Sequence, residues 1–149
     1  AYLTAAFWGG LTLGRLLSIP LASRTRPRTV LLVDLAGCLG SLALMVLIPD
    51  SLPVVWIGTI ATGLFMASIF PTALAFAEQR IPISGQVTGW FFTGGSAGAM
   101  SLPWLVGQQF ALQGPQVLLF FLLADLALAL SLLFTLILST SQPIMKSKV

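Results

Sequence analysis

Five stretches of mostly apolar residues take up nearly the whole chain, each near the ~20 residues that a helix needs to cross ~30 Å of hydrocarbon. They run from Tyr2 to Ala22, Thr29 to Ile48, Val54 to Ala77, Gly85 to Gly107 and Val117 to Leu138. Polar residues collect in the turns: Ser23-Arg24-Thr25-Arg26-Pro27-Arg28, Pro49-Asp50-Ser51-Leu52-Pro53, Glu78-Gln79-Arg80-Ile81-Pro82, and a Gln-rich turn from Gln108 to Gln116. Within lipid, only helices and closed barrels satisfy every backbone polar group. Barrel strands are short and alternate, whereas these runs are long and uniformly apolar. The expectation is an all-α polytopic membrane bundle with five transmembrane helices in residues 1–140, followed by a tail at 141–149.

Composition narrows the function. Charged residues make up 7% of the 149, against about 25% in a soluble domain. A net charge of +3 makes no basic patch, so nucleic acid is not an expected partner. The absence of histidine removes His-based triads and the commonest metal ligand. The single Cys38 lies in an apolar run and reads as an inert buried thiol. No nucleophile–base pair or metal cluster stands out, so the chain is not expected to be an enzyme or to hold a resident cofactor.

The basic residues predict an orientation. Arg24, Arg26 and Arg28 follow the first span, Arg80 the third, and Lys146 and Lys148 the fifth, while the two opposite loops carry no Lys or Arg. The positive-inside rule makes that basic face cytoplasmic. The N-terminus of the chain is then outside and its C-terminus inside, with the plasma membrane as the expected location. Short loops predict that consecutive helices are antiparallel neighbours. The chain opens on Ala1 without the basic region of a signal peptide. A helix entering from outside needs something upstream, so the chain reads as the C-terminal piece of a larger transporter or as a truncated product of one.

Three charges fall inside the spans: Arg15, Asp34 and Asp125. Each costs about 2.5–3.5 kcal/mol at mid-membrane, less nearer the interface, unless partnered or hydrated. At ~1.5 Å per residue, Arg15 and Asp34 lie roughly 12 Å and 9 Å from the cytoplasmic ends of their spans. An Arg15–Asp34 ion pair is therefore expected, as a clamp between helices or as a substrate contact. Asp125 has no basic residue at its depth, and reads as protonated, hydroxyl-bonded or paired with a missing segment.

Small residues recur every fourth position in the fourth span: Gly85, Gly89, Thr93, Ala97 and Ser101, with Gly94 and Gly98 beside them. The third span repeats the pattern with Thr59, Gly63, Ala67, Pro71 and Ala75. Such ladders let membrane helices approach closely, either as fixed packing or as surfaces that slide during transport. Pro71 frees a backbone carbonyl, which Ser68 or Thr72 could satisfy, unless they face a water-filled cavity. Trp56 and Trp104 read as interfacial anchors. Trp8 and Phe65 lie deeper and, with Thr12, Ser68, Thr72, Thr93 and Ser96, offer the apolar faces and neutral hydroxyls that suit a sugar; each of them also reads as core.

Two runs carry a resemblance. Gly63-Leu64-Phe65-Met66-Ala67-Ser68-Ile69-Phe70-Pro71-Thr72 resembles the tenth helix of fucose-permease-like transporters in the major facilitator superfamily. The run from Gly94 to Gly107 (Gly-Gly-Ser-Ala-Gly-Ala-Met-Ser-Leu-Pro-Trp-Leu-Val-Gly) resembles their eleventh. The likeness is nearest to the animal branch that contains the sodium-dependent glucose transporter. It makes Phe7 to Leu16 part of helix eight and the whole chain helices eight to twelve. It implies a sugar substrate, Na+ as coupling ion of the complete transporter, and an N-terminal half as structural partner. It also implies that helices eight, ten and eleven line the cavity, which favours Arg15, Ser68, Thr72, Thr93 and Ser96 over Asp34 and Asp125 as ligands. The loop after helix eight departs from the superfamily's gating motif, with Ser23 in place of an acid and Arg26 in place of a glycine. As a second reading, the chain is a non-transporting membrane protein with an assembly role.

Overall fold

The computed structural model describes residues 2–22, 24–79, 84–114 and 116–139. Ser23 of the first loop, Arg80 and the proposed tail at 141–149 lie outside the described residues. The described residues form six helices: α1 Tyr2–Ala22, α2 Pro27–Leu47, α3 Leu52–Met66, α4 Ile69–Glu78, α5 Gly85–Gln113 and α6 Gln116–Ser139. The ends follow local chemistry. Pro27 occupies the first turn of α2, where its missing N–H costs nothing. The Ser84 side chain caps α5 by accepting from the Val87 amide. Gly114 closes α5 at φ 81°, a conformation that glycine adopts without strain.

Two differences from the expected helices have physical causes. The third apolar run is not one helix but two, interrupted at Ala67–Ser68. Pro71 has no N–H for the Ala67 carbonyl four residues back, and its ring crowds that carbonyl. The Gln-rich turn is helical through Gln113, so α5 runs six residues past the predicted Gly107. By length and composition, three segments among the described residues are long and apolar enough to cross a membrane: Pro27–Leu47, Leu52–Glu78 taken through its break, and Gln116–Ser139. The apolar runs of the sequence predict five. α1, with Arg15 among its glycines and threonines, and α5, rich in Gly, Ser and Gln, do not reach that measure.

The packing order is not the chain order. α1 packs chiefly on α3, and α3 packs in turn on α2. A side chain at Gly10 would strike the Ile60 carbonyl, at Gly14 the Leu64 carbonyl, and at Gly63 the Phe7 carbonyl. From Gly10–Ile60 to Gly14–Leu64 the contacts advance together along both helices, so α1 and α3 run parallel, backbone against backbone. Gly37 faces the Phe65 ring and Gly58 faces Met45, a register that makes α2 and α3 antiparallel. α2 is the central helix, with Val30, Leu31, Asp34, Leu35, Cys38 and Leu42 buried along it. Leu31 and Leu35 join Phe76 of α4 and Leu133 and Ile137 of α6 in the apolar core.

The ladder on α5 does not take part. An added Cβ at Gly85, Gly89, Gly94 or Gly98 meets nothing within 4 Å, and Ala97 is exposed. Close helix approach in this chain rests instead on Gly10, Gly14 and Gly63. Crowding a tight contact costs about 1–3 kcal/mol, while Gly→Ala at an open helical position gains up to about 1 kcal/mol. Gly14→Ala is therefore expected to lower stability in mixed-micelle unfolding and Gly94→Ala to leave it unchanged or raise it. Equal effects at the two positions would contradict the packing described.

Candidate functional site

The interruption between α3 and α4 organises the polar residues of the bundle. Ser68 stands at the start of α4, with φ −101° and ψ −5°, yet its side chain makes no capping bond. Its hydroxyl instead donates to Asp34 Oδ2 of α2 at 2.5 Å. Both residues are buried, Asp34 at 6% and Ser68 at 5% exposure. The Ser68 carbonyl accepts from the Thr72 amide at 3.0 Å, which restarts the helix beyond the break. One turn along α2, the Cys38 thiol lies 3.7 Å from the Thr62 carbonyl. Side chains of α2 thus contact α3 and the break at two successive levels.

Two clefts flank Pro71. One, of about 400 Å³, is bounded by Leu11, Arg15 and Ser18 of α1 and by Met66, Ala67 and Phe70 beside Pro71. The other, of about 290 Å³, lies between the end of α1 and the start of α2, where Ser18, Thr25 and Val30 face Ser68, Pro71 and Thr72. Ser18 and Pro71 border both clefts. The Ser18 and Thr25 hydroxyls donate to the Arg15 and Leu21 carbonyls at 2.7 Å and 2.6 Å, leaving oxygen lone pairs for a donor in the clefts. The arrangement offers a guanidinium in one cleft, several neutral hydroxyls in the other, and a carboxylate buried behind Ser68.

The expected Arg15–Asp34 ion pair is absent among the described residues. Asp34 takes its hydrogen bond from Ser68, and Arg15 is exposed along the α1 cleft. The cause is the packing order: α3 is the main partner of both α1 and α2, so residues at matching depth on α1 and α2 are not brought together. Among the candidate substrate ligands, Arg15 borders one cleft while Ser68 and Thr72 border the other. Trp8 and Thr12 share the helix face of Arg15 but are exposed, the Thr12 hydroxyl turned back to the Trp8 carbonyl at 2.8 Å. Phe65 lies against Gly37 of α2. Thr93 and Ser96 are exposed on α5, with the Thr93 hydroxyl on the Gly89 carbonyl at 2.9 Å. Ser18 and Thr25 were not anticipated, although Ser18 lies three residues beyond Arg15 on one helix face. Asp125 is exposed and borders an α5–α6 cleft beside Pro103 and Val106.

Comparison with known proteins gives the family. Over 113 residues, 76% of this chain, it is 38% identical to the human major facilitator superfamily domain-containing protein 4A, of which that match covers 22%. The chain belongs to the major facilitator superfamily. The counterpart from Xenopus tropicalis is 36% identical over 91% of the chain and 26% of its own length. The zebrafish sodium-dependent glucose transporter 1 is 34% identical over 72% of the chain and 18% of its own length. The chain thus spans roughly a fifth to a quarter of the length of these relatives. No family profile and no solved structure matches it. Together with the apolar helices, membership makes the chain a multi-pass membrane protein related to transporters and not to enzymes.

The two pairings of Asp34 separate cleanly by double-mutant cycle. Ser68→Ala and Asp34→Ala are expected to couple by about 1 kcal/mol in unfolding stability. Arg15→Ala and Asp34→Ala are expected to add within about 0.5 kcal/mol. The reverse pattern would restore the ion pair.

Proposed function

We propose that this chain is the C-terminal portion of a secondary active transporter for hexose-like sugars that is driven by sodium and works by alternating access. The observation that carries this reading is the Pro71 break, where α3 and α4 meet between two largely apolar clefts that carry polar side chains. Transporter sites are commonly built where a membrane helix is discontinuous, because backbone that leaves the helix needs a cavity, water or protein to satisfy it. The neutral hydroxyls of Ser18, Ser68 and Thr72 suit a polyhydroxylated solute, and Arg15 adds a charge-assisted donor to a sugar oxygen. The name of the sodium-dependent glucose transporter 1 supports the choice of glucose and Na+.

In this reading the N-terminal half of the transporter is the partner against which the helices rock. The complete protein lies in the plasma membrane, with the loop bearing Arg24, Arg26 and Arg28 in the cytoplasm. Trp8, Thr12, Thr93 and Ser96 line the shared cavity facing that half, and Phe65 stays a packing residue. α5 turns its open small-residue face toward the same cavity.

Uptake of labelled glucose by cells expressing the complete transporter tests the proposal. Arg15→Ala is expected to lower uptake efficiency about tenfold or more and Thr72→Ala several-fold, as loss of a charged and of a neutral hydrogen bond would. Unchanged uptake and apparent affinity in both variants would overturn the site. Absence of sodium-dependent glucose uptake by the unmodified protein would overturn the substrate.

A further inference from the structure

We propose that Asp34 and Ser68 form a binding site for a single sodium ion at the α3–α4 break. The argument starts from charge. Asp34 is buried within a helix apolar enough to span a membrane, and an ionised carboxylate there calls for a compensating cation. Among the described residues no protein cation supplies one. α3 carries no ionisable side chain, and Glu78 of α4 and Asp125 of α6 are both acidic and exposed. On α2 itself Arg28 is exposed and Cys38 turns to the Thr62 carbonyl. Arg15 borders the far side of Pro71.

The oxygen chemistry at the break suits a small hard cation, which is held by carboxylate, hydroxyl and carbonyl oxygens. Asp34 Oδ2 and the Ser68 oxygen are already 2.5 Å apart. Pro71 cannot donate to the Ala67 carbonyl, so that oxygen is left out of the helical ladder. The C-terminal end of a half-helix and the carbonyls of unwound backbone favour positive charge. Ser68 borders the cleft shared with Ser18, Thr25 and Thr72, which gives the ion and its water a route from the loop end of α1. On binding, the ion replaces the hydroxyl proton between the two oxygens. Ser68 then presents a lone pair to the ion and its O–H turns to another acceptor. Because Asp34 is on α2 and Ser68 opens α4, occupancy fastens the second half-helix to the central helix. This deepens the transporter reading in that it assigns the coupling ion a place, and it rests on that reading for the ion's use but not for its binding.

Thermal unfolding of the purified protein in detergent tests binding without transport. NaCl, KCl and choline chloride are compared at constant ionic strength, each at pH 6 and pH 8. Saturable stabilisation by Na+ alone is expected, absent in Asp34→Asn, retained in Asp125→Asn, and needing about tenfold more Na+ in Ser68→Ala. Asn keeps an acceptor for Ser68, so circular dichroism of that variant should match the parent. Equal effects of the three salts on the unmodified protein, Na+ stabilisation that survives Asp34→Asn, or a pH effect without a Na+ effect would each overturn the site. Sodium binding without glucose uptake would leave the site standing and remove the substrate assignment.

Discussion

The contact between the backbones of α1 and α3 is the constraint on which the rest of the arrangement depends. Lipid tails are as apolar as leucine, so helices in a membrane gain little from burying apolar side chains against one another. Association then rests on close van der Waals approach, and Gly10, Gly14 and Gly63 permit it by presenting no side chain where a neighbouring carbonyl lies. With α1 fixed in that register, Arg15 and Ser18 border Pro71 and the end of α3. A larger residue at any of the three glycines would separate the helices and open the cleft that holds them.

The second organising fact is the position of α2. Its buried stripe faces α3, α4 and α6 at once, so Asp34 is carried to the inside of the bundle and not to lipid. The hydrogen bond from Ser68 and the Pro71 break belong together. Where α3 stops, a serine at the start of α4 has a hydroxyl that does not cap its own helix, and Asp34 takes it. One proline thus decides where the apolar run divides, and one carboxylate decides how the second piece is tied back.

Much of the helical layout was legible because apolar length and turn chemistry are local properties. The ends of α1 and α6 fall within about a residue of the apolar runs, and the charged loop residues mark the turns. Neighbour identity was not legible. In a membrane helix every face is apolar, so periodicity does not say which face meets which helix, and chain order was a poor substitute. That is why Arg15 and Asp34, at similar depth, looked like partners while α3 was the helix packed on both. The longest small-residue pattern, on α5, is open, whereas the shorter Gly10–Gly14 pair makes the close contact. Pro71 was recognised as a helix disturbance, but the break lies three to four residues before it, where the unmet carbonyl is. Among the residues that border the two clefts, Arg15, Ser68 and Thr72 stand out in the sequence as polar groups in apolar runs. The cleft position of Ser18 and the pairing of Asp34 with Ser68 follow only from packing.

The central claim is that α1 lies along α3, beside the break, and not along α2. Cross-linking measures this directly in a Cys38→Ser background, with a short bis-thiol reagent applied to the protein in membranes. Arg15→Cys paired with Met66→Cys, which border one cleft, is expected to cross-link efficiently, and Arg15→Cys paired with Asp34→Cys is expected not to. Efficient cross-linking of the second pair without the first would contradict the account.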